Sequence, residues 1–130
     1  MNDMTDLARK LQIKPGTRLW VWPEDAPPAE PLIAETDVQR SDAATAEVAL
    51  IFGSVRQDID TVLTDHRTAL AGARAVWIIY AKGNKTDMNR DTLWVQLAGF
   101  GWRAVAQVSY DATLSALRVR PLRDGEVGPI

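Results

Sequence analysis

Cysteine is absent from all 130 residues, which excludes a disulfide framework, a thiolate metal site and a thiol nucleophile. His66 is the single histidine. No second imidazole or thiolate can therefore join it in a transition-metal site or a nucleophilic triad. No apolar run approaches the ~20 residues of a membrane-spanning helix. The opening "MNDMTDLARK" is mixed in charge and lacks the apolar segment of a signal peptide. These absences favour a cytoplasmic protein with no membrane partner. No stripe of basic residues is interleaved with aromatics, and the sequence pI is near 5.3, so nucleic acid is not an expected partner. Glycine is also missing between Gly16 and Gly53, and that gap matters below.

What is present is an ordinary globular composition, 46% hydrophobic and 25% charged, sufficient for one domain over residues 1–130. The tail from about 122 to 130, "LRDGEVGPI", reads as flexible. The net charge of −2 hides an asymmetry between the halves. Residues 1–66 carry 6 Lys/Arg against 12 Asp/Glu, whereas residues 67–130 carry 9 against 5. Such a division can create an anion-attracting face or a self-complementary homodimer surface, unless folding interleaves the two halves.

Hydrophobic patterning alternates strands with helices. Thr5 is placed to cap a short helix carrying Leu7, Ala8 and Leu11, which Pro15 and Gly16 end. "TRLWVW" (17–22) reads as a strand with Leu19 and Val21 on one face and Trp20 and Trp22 on the other. Pro23, Pro27, Pro28 and Pro31 then suggest an extended stretch without regular helix, with "PLIAET" as a short edge strand. "AEVALIF" (46–52) is apolar on both faces, as a buried parallel strand requires. Val55, Ile59, Val62, Leu63 and Leu70 fall on one helical stripe, shared by His66, which reads as a half-buried packing residue. "ARAVWIIYA" (73–81) is the strongest strand and is expected at the centre. A helix from about Asp87 to Phe100 follows, with Leu93, Val95, Leu97 and Ala98 as its apolar contacts. "WRAVAQVSY" and "LSALRVRP" then form an antiparallel pair across the link "DAT". The pattern predicts a three-layer, Rossmann-like α/β domain with a mostly parallel sheet and a C-terminal antiparallel hairpin that supplies an edge strand.

Two features resemble a named architecture. "KPGTRLWVW" is similar to the first strand of class I S-adenosylmethionine-dependent methyltransferases, and the order from "GARAVWIIYA" to "LSALRVRP" resembles the last third of that fold. In that family a glycine-rich turn after the first strand lets the backbone approach the cofactor, and a helix follows. Here the corresponding stretch is "WPEDAPPAEPL", which has no glycine and leaves no room for that helix. Its prolines remove the N–H donors such a loop needs. The expectation is a degenerate methyltransferase-like fold with no cofactor. The segments "LQIKPGTRLWVW", "AKGNKTDMNRDTLW" and "YDATLSALRVRP" also resemble a family of small bacterial proteins catalogued as domain of unknown function 3052. That likeness spans about residues 5 to 121 and departs at Leu114, where tryptophan is more usual. It implies a Rossmann-like fold without an established activity.

Ligands of open α/β sheets bind beyond the carboxyl ends of the strands, where the loop from Lys82 to Asp91 leaves the expected central strand. Lys82, Lys85 and Arg90 supply cationic donors, with Thr86 between them, and the helix start adds free N–H groups. Asp87 is the expected N-cap, and Asp91 is placed to pair with Lys85 or Arg90. The alternative is a capped turn with solvated lysines. A second cluster is Asp111, Ser115 and Arg118, although Asp111 also suits simple turn chemistry and Arg118 falls on the opposite strand face from Ser115. No catalytic or metal-binding residue is assigned. Two functions follow: a non-enzymatic domain binding a small anionic ligand or a protein, or a small enzyme acting on a phosphorylated or carboxylated metabolite through the Lys82–Asp91 loop. Five tryptophans add a third possibility, a homodimer face, if a pair of them is exposed.

Overall fold

The computed structural model describes residues 3–83, 85–123 and 125. Most of the expected flexible tail lies outside them. Six strands form one sheet in the order β2-β1-β3-β4-β6-β5. They are β1 (Arg18–Trp22), β2 (Gln39–Arg40), β3 (Val48–Phe52), β4 (Ala75–Ala81), β5 (Trp102–Ser109) and β6 (Leu114–Pro121). The first four pair in parallel, and β6 runs antiparallel to both β4 and β5. The hairpin therefore inserts its second strand into the sheet and leaves β5, not the antiparallel strand, at the edge.

The helices are α1 (Asp3–Lys10), α2 (Glu30–Glu35), α3 (Arg56–Leu70) and α4 (Arg90–Ala98). They divide between the two faces because side chains alternate along each strand. On β4, Ala75, Trp77 and Ile79 join Leu7 of α1, Leu11 just after it and Leu32 of α2. Val76, Ile78 and Tyr80 join Ile59, Leu63, Leu93 and Leu97 of α3 and α4. The result is three layers around a central sheet, as the patterning predicts. The buried Trp77 indole also donates to the Leu11 carbonyl at 3.1 Å, fixing the end of α1 to the central strand.

Several local expectations are corrected. α1 begins at Asp3, so Thr5 lies inside it and is not its cap. "PLIAET" is not a strand: Pro27–Ala29 form a 3-10 turn that runs into α2. Each of these short elements has proline in its first two positions, where the missing N–H has no intrahelical partner to lose. The prolines thus start a helix after β1 where the sequence reading left no room for one. Val55 stands ahead of α3 and is exposed, and Val95 of α4 is 64% exposed while its neighbour Gln96 is buried. Gln96 Nε2 donates to the Arg56 carbonyl and to Asp60 Oδ1, each at 2.8 Å, tying α4 to α3. His66 is half-buried against Trp20, ring centroids 4.8 Å apart, in the packing role expected of it. Among the described residues no helix is long and apolar enough to cross a membrane.

Candidate functional site

The loop after β4 is held mainly by its own short-range chemistry. Met88 is fully buried in the α3/α4 core, and Gly53 makes space for it: a Cβ there would lie 3.3 Å from Met88 Cε and 3.0 Å from Ile59 Cδ1. The N-cap of α4 is Asn89, not Asp87. Asn89 Oδ1 accepts from the Thr92 N–H at 2.9 Å, and Thr92 Oγ1 accepts from the Asn89 N–H at 2.9 Å. Two orphan donors are satisfied reciprocally, so the helix starts three residues later than expected. Asp87 instead accepts from the Arg56 N–H at 2.9 Å and so caps the first turn of α3 from outside. Thr86 Oγ1 accepts from the Met88 N–H at 3.1 Å. Lys85 and Asp91 are exposed, and among the described residues no ion pair joins Asp91 to Lys85 or Arg90.

Lys82 and Arg90 remain, and the structure brings them to one place. Lys82 Nζ donates to Ser109 Oγ and to the Asp111 carbonyl, each at 2.7 Å, clamping the β5–β6 turn. The Asp111 carboxylate accepts from the Thr113 N–H, the Thr113 hydroxyl and the Leu114 N–H, which is the turn role of that aspartate. Ser115 is buried opposite Tyr80 on β4. Gln107 Nε2 donates to the Tyr80 hydroxyl at 3.1 Å. Burial raises the Tyr80 pKa, against smaller opposing effects from the Arg90 charge and the Ser115 hydrogen bond. Above this network lies an open depression of about 430 Å³ lined by Lys82, Arg90, Gln107, Val108, Ser109 and Ser115. Arg118 is not part of it: its guanidinium reaches the Arg74 carbonyl at 3.2 Å. The second predicted cluster is thus split, with Ser115 in the depression and Arg118 away from it.

The chemistry of that lining is one-sided. It offers a guanidinium, an ammonium with a third N–H left after its two bonds, an amide and two hydroxyls, of which that of Ser109 donates to the Asp111 carbonyl at 3.0 Å, with no carboxylate among the lining residues. Such a set matches an oxyanion. Sequence reasoning missed Gln107 and Ser109, which reach the site only through the pairing of β5 with β6. It also missed the Asn89/Thr92 cap, which was legible as two short polar side chains at capping-box spacing.

The carboxyl ends of β1 and β3 are arranged differently. Phe52 ends β3 and meets Tyr110 edge-on, ring centroids 5.5 Å apart at 87°. The Tyr110 hydroxyl donates to the Pro28 carbonyl at 2.7 Å, fastening the proline segment over the pair. Ala26 and Ala29 of that segment are buried in the same core. The backbone N–H groups of Ala26 and Ala29 are already engaged, to the Pro23 and Ala26 carbonyls. Among the described residues no group of three or more His, Asp or Glu side chains is placed to hold a metal ion. All five tryptophans are buried or half-buried, so they form no exposed apolar platform.

The sequence matches no protein-family model, and no curated protein matches it. Similarity lies in the structure. A protein of Streptococcus pneumoniae provisionally assigned as a tRNA (m1A22) methyltransferase superposes with a TM-score of 0.53 at 12% identity, over 95% of this chain and 72% of that one. The fold is that of a Rossmann-like methyltransferase. The same S. pneumoniae protein in complex with S-adenosyl-L-methionine gives 0.51 at 13% identity, over 92% and 73%. A NADB-Rossmann superfamily protein from Streptococcus agalactiae gives 0.52 at 14%, over 93% and 68%.

Proposed function

We propose that this protein is a ligand-binding domain on a methyltransferase-like scaffold, taking a small phosphate- or carboxylate-bearing ligand in the depression between Lys82, Arg90 and Ser115. The observation that carries this reading is the lining, which is rich in donors and free of carboxylates at the carboxyl ends of β4 and β5 and the amino end of β6. The Phe52–Tyr110 pair under the proline segment supports it from the other side. In that region, apolar packing and internally used N–H groups stand where a nucleoside cofactor needs space and donors. Burial raises the Tyr80 pKa, so its hydroxyl stays protonated at neutral pH and takes part as a hydrogen-bonding group. The three sequence segments that resemble domain of unknown function 3052 fit the same picture of a retained fold without an assigned activity.

Thermal unfolding with and without inorganic phosphate tests the reading. The midpoint should rise with phosphate in the parent protein and not in Arg90→Gln. Titration with S-adenosylmethionine or S-adenosylhomocysteine should show no binding in the micromolar range. A micromolar affinity for either would sink the proposal, as would phosphate stabilisation that survives in Arg90→Gln.

A further inference from the structure

A separate cavity lies at the opposite end of the sheet from the Lys82 depression. Lys14, Asp37 and Arg74 stand ahead of β1, β2 and β4, and with the ends of α1 and α2 they enclose about 460 Å³. Ala8 and Ile13 are its buried apolar lining, and Gln12, Lys14, Glu35 and Asp37 are polar residues around it. Among the described residues Gln12 is the one non-glycine residue with a positive φ, 66°. It closes α1: the Ile13 N–H donates to the Ala8 carbonyl at 2.8 Å and the Gln12 N–H to the Arg9 carbonyl at 3.1 Å. Glycine is the usual residue at such a helix end. A glutamine there carries backbone strain that glycine would relieve, and strain of this kind concentrates at ligand sites. Gln12 is half-buried, and among the described residues nothing bonds to its side-chain amide.

The charges around the cavity are unevenly committed. Arg74 is engaged by Glu47 at 3.4 Å and by the Gln12 carbonyl at 2.6 Å, and Arg9 by Asp6 at 3.4 Å. Lys14, Glu35 and Asp37 differ. Among the described residues no ion pair or hydrogen bond takes up their ionic groups. One ammonium and two carboxylates thus line the same cavity without pairing with one another. The complementary ligand has one carboxylate, two cationic groups and an aliphatic chain for the apolar lining. We propose that this cavity takes a free α-amino acid with a basic side chain. Its carboxylate would meet Lys14, its two cationic groups Glu35 and Asp37, and its methylenes Ala8 and Ile13, with the Gln12 amide completing the polar wall. The site is independent of the anion reading of the Lys82 depression.

Amide NMR titrations with L-lysine, L-norleucine and cadaverine, at one low ionic strength, test the assignment, because each analogue lacks one of the charges. L-Lysine should shift the amides of Gln12, Ile13 and Thr36 and leave those of Ser109 and Ser115 in place. Each analogue should bind about fivefold more weakly, the upper end of what one exposed ion pair contributes. Lys14→Gln should bring L-lysine down to the level of cadaverine. The Glu35→Gln/Asp37→Asn double variant should abolish its advantage over norleucine. Gln12→Gly should raise the urea midpoint by relaxing the left-handed backbone, yet weaken L-lysine binding. L-Lysine binding no tighter than either analogue overturns the proposal, as does an affinity that survives all of these variants. Shifts centred on Lys82 and Arg90, or no shifts at all, overturn it too. Arg90→Gln should leave L-lysine binding unchanged, so failure at one site is distinguishable from failure at the other.

Discussion

Tyr110 shows how one side chain fixes the character of the sheet's carboxyl edge. It leaves the end of β5, packs on Phe52 at the end of β3, and closes on the Pro28 carbonyl in the segment after β1. Burial raises its pKa, and the Asp111 charge adds to the rise, so the hydroxyl remains a donor through the neutral range. Tyr110→Phe keeps the ring and removes only that bond. Loss of one such hydrogen bond should lower stability by about 1 kcal/mol. Urea denaturation should show a lower midpoint with an unchanged slope. A drop near zero would mean that the proline segment is held by packing alone. Nothing in the local sequence signals this contact, because it joins residues 82 positions apart.

Among the elements, the first turn of α3 is held by a residue before α4 and by another in the last turn of α4. Asp87 lies in the loop before α4 yet accepts from the Arg56 N–H of α3, while Gln96 of α4 donates to the Arg56 carbonyl. Asp87→Ala should therefore destabilise by about 1 kcal/mol, the usual cost of losing a cap. Amide exchange should locate the faster opening in the first turn of α3 rather than in α4. Protection lost chiefly at α4 would restore the role that the sequence suggests for Asp87. The three-residue difference in where α4 starts has a physical cause. Three residues, Asp87, Asn89 and Asp91, are competent caps by type. The burial of Met88 and the reciprocal bonding of Asn89 with Thr92 choose among them. Proline misled the reading of α2 in a similar way, since its position within the first turn decides whether it breaks a helix or begins one.

Across the whole molecule the two edges of the sheet divide the work. At the amino edge, Glu47 ties β1, β3 and β4 together. Its carboxylate accepts from the Arg18 N–H at 3.0 Å and from Arg74 Nη1 at 3.4 Å, and its carbonyl accepts from the Arg74 N–H at 2.7 Å. The Arg18 backbone bond, with the Arg18 and Arg74 charges adding to it, holds the Glu47 pKa below its ordinary 4.5. A carboxylate depressed on folding contributes stability that is complete above its unfolded pKa and is lost as pH falls through the lower folded value. Glu47→Gln should therefore cost stability at neutral pH and flatten the acid-side decline below about pH 4.5. Parallel stability curves for parent and variant below that pH would count against the linkage. At the carboxyl ends of β4 and β5 the balance is reversed, with Lys82, Arg90 and two serine hydroxyls lining one open depression.

The order of strands and helices, the central place of "AVWIIYA" and the stripe of α3 were legible because each depends on local periodicity. An all-apolar run needs cover on two faces, and a 3.6-residue stripe needs cover on one. The absence of cysteine, and of glycine in the segment after β1, likewise restricts the chemistry from the sequence alone. What only the tertiary structure decided is which polar residues meet. Lys82, Ser109 and Ser115 lie on three different strands or their ends. They converge because β6 inserts between β4 and β5, a pairing fixed by long-range burial and absent from local sequence.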